Sequence, residues 1–146
     1  MPGYQYQPLD VLHKYTHDFL IEWITGREGW MKKILIVDDD PNIIDYLTTL
    51  FEDNGYSTFS AHDVKEGLEI AKKEIPDLIT LDLEMPEEWG PRFYRKMSQE
   101  KLLKHIPVIV ISGLSGGDHA IGKAVAYLSK PFDREKLLKI VKETLQ

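Results

Sequence analysis

Apolar residues recur along this chain with two periods, and the alternation between them sets out its elements. Lys32-Lys33-Ile34-Leu35-Ile36-Val37 is rich in β-branched residues and predicts a buried strand ending at the acidic cluster Asp38-Asp39-Asp40. Pro41 opens a helix whose apolar positions Ile43, Ile44, Leu47, Leu50 and Phe51 form one stripe, and Asn54-Gly55 ends it. Tyr56 to Ser60 predicts a second strand, and Asp63 caps a helix from Val64 to Glu74 with Leu68, Ile70 and Ala71 inward. The run Leu78 to Leu83 is too short for a helix and is followed by Pro86, so it predicts a third strand with Asp82 at its end. A helix over roughly Pro91 to Lys104 follows, then a strand from Ile106 to Ile111 closing on Ser112-Gly113. A weak helix, roughly Asp118 to Val125, leads to a fifth strand, Ala126 to Ser129, closed by Lys130-Pro131. Asp133 caps a last helix, Arg134 to Leu145, with Leu137, Leu138, Val141 and Leu145 on its stripe.

Strands that alternate with helices in this way predict an α/β fold, a doubly wound five-stranded parallel sheet with helices on both faces. Residues 1–30 have a different texture. Leu9, Leu12, Thr16, Phe19, Leu20 and Trp23 fall near helical spacing, so an amphipathic helix is expected from about Leu9 to Thr25, stopped by Gly26. Its apolar stripe packs on the same protein, or docks or dimerises, or the segment is a cloning remnant or the product of an upstream start codon, since Met31 is itself a plausible first residue. The chain is thus divided into an N-terminal extension, 1–30, and a domain, 31–146.

Composition narrows the function. The 146 residues carry a net charge of −6, which disfavours nucleic acid or an anionic membrane as partner. The absence of cysteine removes disulfides, thiolate metal sites and cysteine nucleophiles together. No apolar run approaches the roughly 20 residues of a membrane span. The start lacks the features of a signal peptide, so a cytoplasmic protein is expected. The histidines show no ligand spacing, and Lys96, Lys101 and Lys104 are read as a solvated helix face.

The chemistry lies at the strand ends. The first strand ends on Asp38 and Asp39, the third on Asp82, the fourth on Ser112 and the fifth on Lys130. In a parallel sheet these ends share one edge, where ligands of open α/β sheets bind. Clustered carboxylates repel one another unless a cation joins them, and Mg²⁺ suits few protein ligands plus several waters. Lysine supplies a positive point charge suited to phosphate oxygens, and the serine hydroxyl one more hydrogen bond. Together these are the parts of an aspartyl-phosphate site, in which a carboxylate attacks phosphorus and the cations neutralise the transferring oxygens.

On Ile34-Leu35-Ile36-Val37-Asp38-Asp39-Asp40-Pro41, Asp82 with Met85-Pro86 and Gly90, Ser112, and Lys130-Pro131-Phe132, the chain resembles the receiver domain of two-component response regulators. The resemblance covers about Met31 to Gln146. It implies a flavodoxin-like fold with strand order 2-1-3-4-5, the order known for receiver proteins of this class. It further implies that Asp82 accepts a phosphoryl group from the phosphohistidine of a histidine kinase or phosphotransfer protein. Asp39 and Asp82 would bind Mg²⁺ directly, with the main-chain carbonyl of Glu84 as a further ligand and Asp38 acting largely through water. Ser112 and Lys130 would grip the phosphoryl oxygens, and Tyr127 occupies the aromatic switch position that responds to Ser112. The reading is of a phosphorylation-controlled switch rather than a turnover enzyme, with no DNA-binding domain, an unnamed downstream protein and a homodimer left open.

Two alternatives are weighed against it. A receiver-like interaction module that never uses phosphorylation would not need the full set of acids, hydroxyl and lysine. A hydrolase with an aspartyl-phosphate intermediate would want an aspartate where Glu84 stands. Two features depart from the usual receiver plan. Only 18 positions separate Ser112 from Lys130, about one helical turn fewer than expected, and Gly113, Gly116, Gly117 and Gly122 lie between them. Glu84 and Leu114 also stand where side chains can screen the phosphoryl group.

Overall fold

Unbroken apolar runs become the strands of one sheet because residues buried on both faces need no polar alternation. The computed structural model describes residues 31–85, 90–113 and 121–146. The helix expected over Leu9 to Thr25, together with Pro86, Trp89 and Leu114, lies outside them. The elements are β1 (Lys33–Val37), α1 (Pro41–Asp53), β2 (Ser57–Ala61), α2 (Val64–Glu74), β3 (Leu78–Leu81), α3 (Gly90–Gln99), β4 (Val108–Ser112), β5 (Ala126–Ser129) and α4 (Arg134–Thr144). The five strands are all parallel, in the order β2-β1-β3-β4-β5.

The pleat divides the core in two. Leu35, Val37, Ile79, Leu81, Val108 and Val110 face α2 and α3, where Val64, Ala71, Phe93 and Met97 close the layer. Ile34, Ile36, Leu78, Ile109, Ile111 and Leu128 face α1 and α4, against Leu47, Leu50, Phe51, Leu137 and Val141. Of the inward positions expected on α2, Ala71 is buried while Leu68 and Ile70 pack only partly against the core. The caps expected at Asp63 and Asp133 are present, and Asp40 caps α1. Asp40 accepts from the Asn42 amide, Asp63 from the Glu66 amide, and Asp133 from the Glu135 and Lys136 amides. Glu66 in turn accepts from the His62 amide at 2.9 Å, which ties the chain entering α2 to its first turn.

Several boundaries differ from expectation. β2 is shifted one residue onward, ending at Ala61, because Val37 pairs with Ala61. β3 ends at Leu81, one residue before Asp82. β4 begins at Val108 and not Ile106, since Pro107 has no amide to give the ladder, although its carbonyl accepts from the Ile79 amide at 3.0 Å. The helix expected to reach Lys104 stops at Gln99. The Glu100 amide bonds to Met97 O, three residues back, and 101–105 form turns around Leu103, whose side chain is buried. The weak helix expected over Asp118 to Val125 is not found in its described part, where 121–125 are turn and irregular chain, with Ile121 buried in the core. The last helix ends at Thr144, with Leu145 as its cap.

Candidate functional site

Each functional side chain stands where a buried strand gives way to a loop. β1 ends at Val37, so Asp38 follows directly, its amide held by Ala61 O at 3.1 Å. β3 ends at Leu81, and the Asp82 amide bonds to Val37 O at 2.9 Å, so these carboxylates leave adjacent strands side by side. Ser112 closes β4, and its carbonyl accepts from the Lys130 amide just past β5 at 3.0 Å. The parallel sheet therefore collects Asp38, Asp39, Asp82, Ser112 and Lys130 on one edge, as the pattern of strand ends implies.

Asp38, Asp82 and Ser112 are buried, while Asp39 lies closer to solvent. One carboxylate oxygen from each of Asp38, Asp39 and Asp82 lies within 4.8 Å of the other two. Oxygen donors gathered this closely, on a partly open edge, suit a hard divalent ion that keeps some of its waters. Lys130 Nζ donates to Asp38 Oδ2 at 2.7 Å and stands 3.7 Å from Asp82 Oδ2, so it lies between the two buried acids and nearer to Asp38. The other Asp38 oxygen accepts from the Asp40 amide at 2.9 Å. Asp82 Oδ1 accepts from the Glu84 amide at 3.2 Å, and the Ser112 hydroxyl also bonds to Asp82.

The Asp82 carboxyl is pushed up to about 6, by burial first and by the Asp38 charge second, against the opposing pull of the Glu84 amide, Lys130 and Ser112. Burial works against the Lys130 charge. The bond to Asp38 and the charges of Asp38, Asp82 and Asp40 outweigh it and raise the ammonium above its ordinary value. Net negative charge thus persists around Asp82 even with the lysine in place.

Glycine matters at one point of this frame. A Cβ on Gly90 would run into the Asp82 carbonyl oxygen and come within 2.7 Å of Leu83 Cα. The Gly90 amide bonds to Leu83 O at 3.1 Å. The start of α3 is therefore pressed against the main chain that carries Asp82, an approach open only to a residue without a side chain.

Of the other expected residues, Glu84 has an exposed side chain that reaches toward the far wall, its Oε2 lying 3.9 Å from where a Cβ on Gly113 would be. The ligand expected from Glu84 is its main-chain carbonyl, two residues after Asp82 in the chain. Tyr127 is half-buried on β5, opposite Val110, and packs against the α2–α3 side of the core. Sequence reasoning missed the direct Lys130–Asp38 bond. It treated the lysine as a phosphate ligand alone, and a partner 92 residues away leaves no local signal.

Comparison with known proteins agrees with this geometry. The family "Response regulator receiver domain" matches residues 34–142. Protein Rrf1 of Nitratidesulfovibrio vulgaris is 35% identical over 113 residues, covering 77% of this chain and 82% of that protein. Protein PilH of Pseudomonas aeruginosa is 34% identical over 119 residues, covering 79% and 98%. The chemotaxis response regulator CheY4 of Vibrio cholerae superposes with a TM-score of 0.72 at 29% identity, covering 79% of this chain and 99% of that one. Sheet order, acidic pocket and family match converge: the chain belongs to the response regulator receiver domain family of two-component systems, which are signalling switches rather than turnover enzymes.

Proposed function

We propose that Asp82 is the phosphoryl acceptor of a two-component phosphorelay. The observation that carries this reading is the placement of Lys130 between Asp38 and Asp82, 2.7 and 3.7 Å away, beside three carboxylates whose oxygens converge within 4.8 Å. An Asp82 oxygen attacks phosphorus while the bond from phosphorus to the donor's imidazole nitrogen breaks, and that nitrogen keeps the electron pair. Asp38, Asp39, Asp82 and the Glu84 carbonyl would hold Mg²⁺, which offsets carboxylate repulsion and the charge on the phosphoryl oxygens.

The protein's own groups do the rest. The Glu84 amide fixes one Asp82 oxygen, which leaves the other to react. Lys130 exchanges its Asp38 contact for a phosphoryl oxygen, and Ser112 donates to another. Movement of Ser112 and Tyr127 then alters the surface that a downstream protein reads. The donor is a histidine kinase or phosphotransfer protein, the setting is cytoplasmic, and residues 1–30 form an extension to a receiver domain over 31–146. No helix among the described residues is long and apolar enough to cross a membrane.

The test is intact mass after incubation with acetyl phosphate and Mg²⁺. The wild type is expected to gain one phosphoryl group and Asp82→Asn none. Equal gain by both would remove Asp82 from the role.

A further inference from the structure

The C-terminal end of α1 carries chemistry that the acidic pocket does not use. The chain has two asparagines, Asn42 and Asn54, and Asn54 is followed by glycine. An Asn-Gly pair is prone to a reaction of its own, in which the glycine amide nitrogen attacks the side-chain carbonyl carbon of the asparagine. The glycine has no side chain to shield that nitrogen. Asn54 and Gly55 are both exposed, and nothing lies within 4 Å of where a Cβ on Gly55 would be. Asn42 is exposed too, but it sits in the first turn of α1 and precedes Ile43, whose branched side chain crowds the nitrogen.

The folded chain holds the Asn54–Gly55 pair out of reacting geometry. Gly55, at φ 88°, and Tyr56 close α1 as a Schellman motif, the Gly55 amide donating to Glu52 O and the Tyr56 amide to Phe51 O, each at 3.1 Å. The Asn54 side-chain amide turns back along the helix and donates to Leu50 O at 2.8 Å. The nucleophilic nitrogen is thereby engaged, and the carbon it would attack is tied elsewhere. The Tyr56 ring braces the motif by meeting the buried Phe51 ring edge-on, with centroids 6.4 Å apart.

We propose that Asn54 is a site of spontaneous covalent modification, gated by opening of this cap. When the last turn of α1 opens, the Gly55 nitrogen bonds to Asn54 Cγ and the Cγ–Nδ2 bond breaks. Ammonia leaves with that electron pair and with the proton lost from Gly55. Water then opens the resulting succinimide at either carbonyl and yields an aspartyl or an isoaspartyl residue, so that one water is consumed and one ammonia released. Neither product rebuilds the cap. A carboxylate has no hydrogen for Leu50 O, and it adds negative charge beside Glu52 and Asp53, at the negative end of a helix with no base in its last turn. The isoaspartyl form also lengthens the main chain by one carbon, which takes the Gly55 and Tyr56 amides out of line with their carbonyls. The reaction needs nothing from Asp82 and stands apart from phosphoryl transfer.

The test is incubation of the full chain at mildly alkaline pH, with isoaspartate read by enzymatic methylation and its position by fragment mass. A synthetic peptide spanning 50–58 serves as the reference without a cap. The folded chain is expected to be modified at Asn54 and not at Asn42, at least about tenfold more slowly than the peptide, since only the open fraction reacts. Urea below the unfolding midpoint should speed the reaction, and Asn54→Asp should lower that midpoint. Three results would each overturn the proposal: equal rates in folded chain and peptide, no modification of Asn54 in the urea-unfolded chain while the peptide reacts, or an unchanged midpoint in Asn54→Asp.

Discussion

Asp82 is a buried acid whose proton is held more tightly in the folded chain than in the unfolded one. Its carboxyl titrates at about 6 when folded, against about 3.9 for an unperturbed aspartate. Stability from this group is therefore fully present below about pH 4 and is lost as pH rises toward 6, by on the order of 2–3 kcal/mol. Asp82→Asn has no such charge to bury. In chelator, urea unfolding of the two proteins should give similar stability near pH 4, and the variant should be the more stable one at pH 8. Parallel curves across that range would contradict the raised value. The identity of these acids was legible in the sequence, because polar residues at the ends of apolar strands are conspicuous. Their electrostatics were not, since the charge state of Asp82 depends on Asp38 and Lys130, which only the folded sheet brings near. Thr80 is similar: its position reads as ordinary strand, yet its buried hydroxyl finds no hydrogen-bond partner.

At the scale of elements, types were legible and boundaries less so. Caps such as Asp63 and Asp133 carry their own local signal, and α2 and β5 lie where the pattern put them. The end of α3 did not, because Leu103 continues the apolar spacing while in fact anchoring a turn. The end of α2 shows another limit. Ile75 caps it in the left-handed region, at φ 45°, where a β-branched side chain is crowded and where glycine is the usual occupant. The residue is exposed, so replacing it removes little packing. Ile75→Gly is expected to raise stability by about 1 kcal/mol, read as a higher urea midpoint at an unchanged slope. A lower midpoint would show that the side chain's contacts outweigh its backbone strain.

For the molecule as a whole, fold class followed from the alternation of strands and helices, and strand order from the family resemblance. What could not be read was which ends meet closely enough to bond. The Lys130–Asp38 contact joins residues 92 apart, and the acids beside it come from two different strands. An unfolded chain cannot present these oxygens together, so any cation that needs them all binds the native state alone. Such binding acts as a reversible cross-link: it raises stability by about 2.7 kcal/mol when the free ion is at a hundred times its dissociation constant. Thermal unfolding in Mg²⁺ should therefore shift upward relative to chelator, and Asp39→Ala should shrink the shift. Coincident melts for the wild type would deny the ion its place among the carboxylates. With Mg²⁺ bound among the carboxylates, receptor and scaffold would share one equilibrium, so that ion concentration would set the fraction of the domain that is folded as well as how readily Asp82 could accept a phosphoryl group.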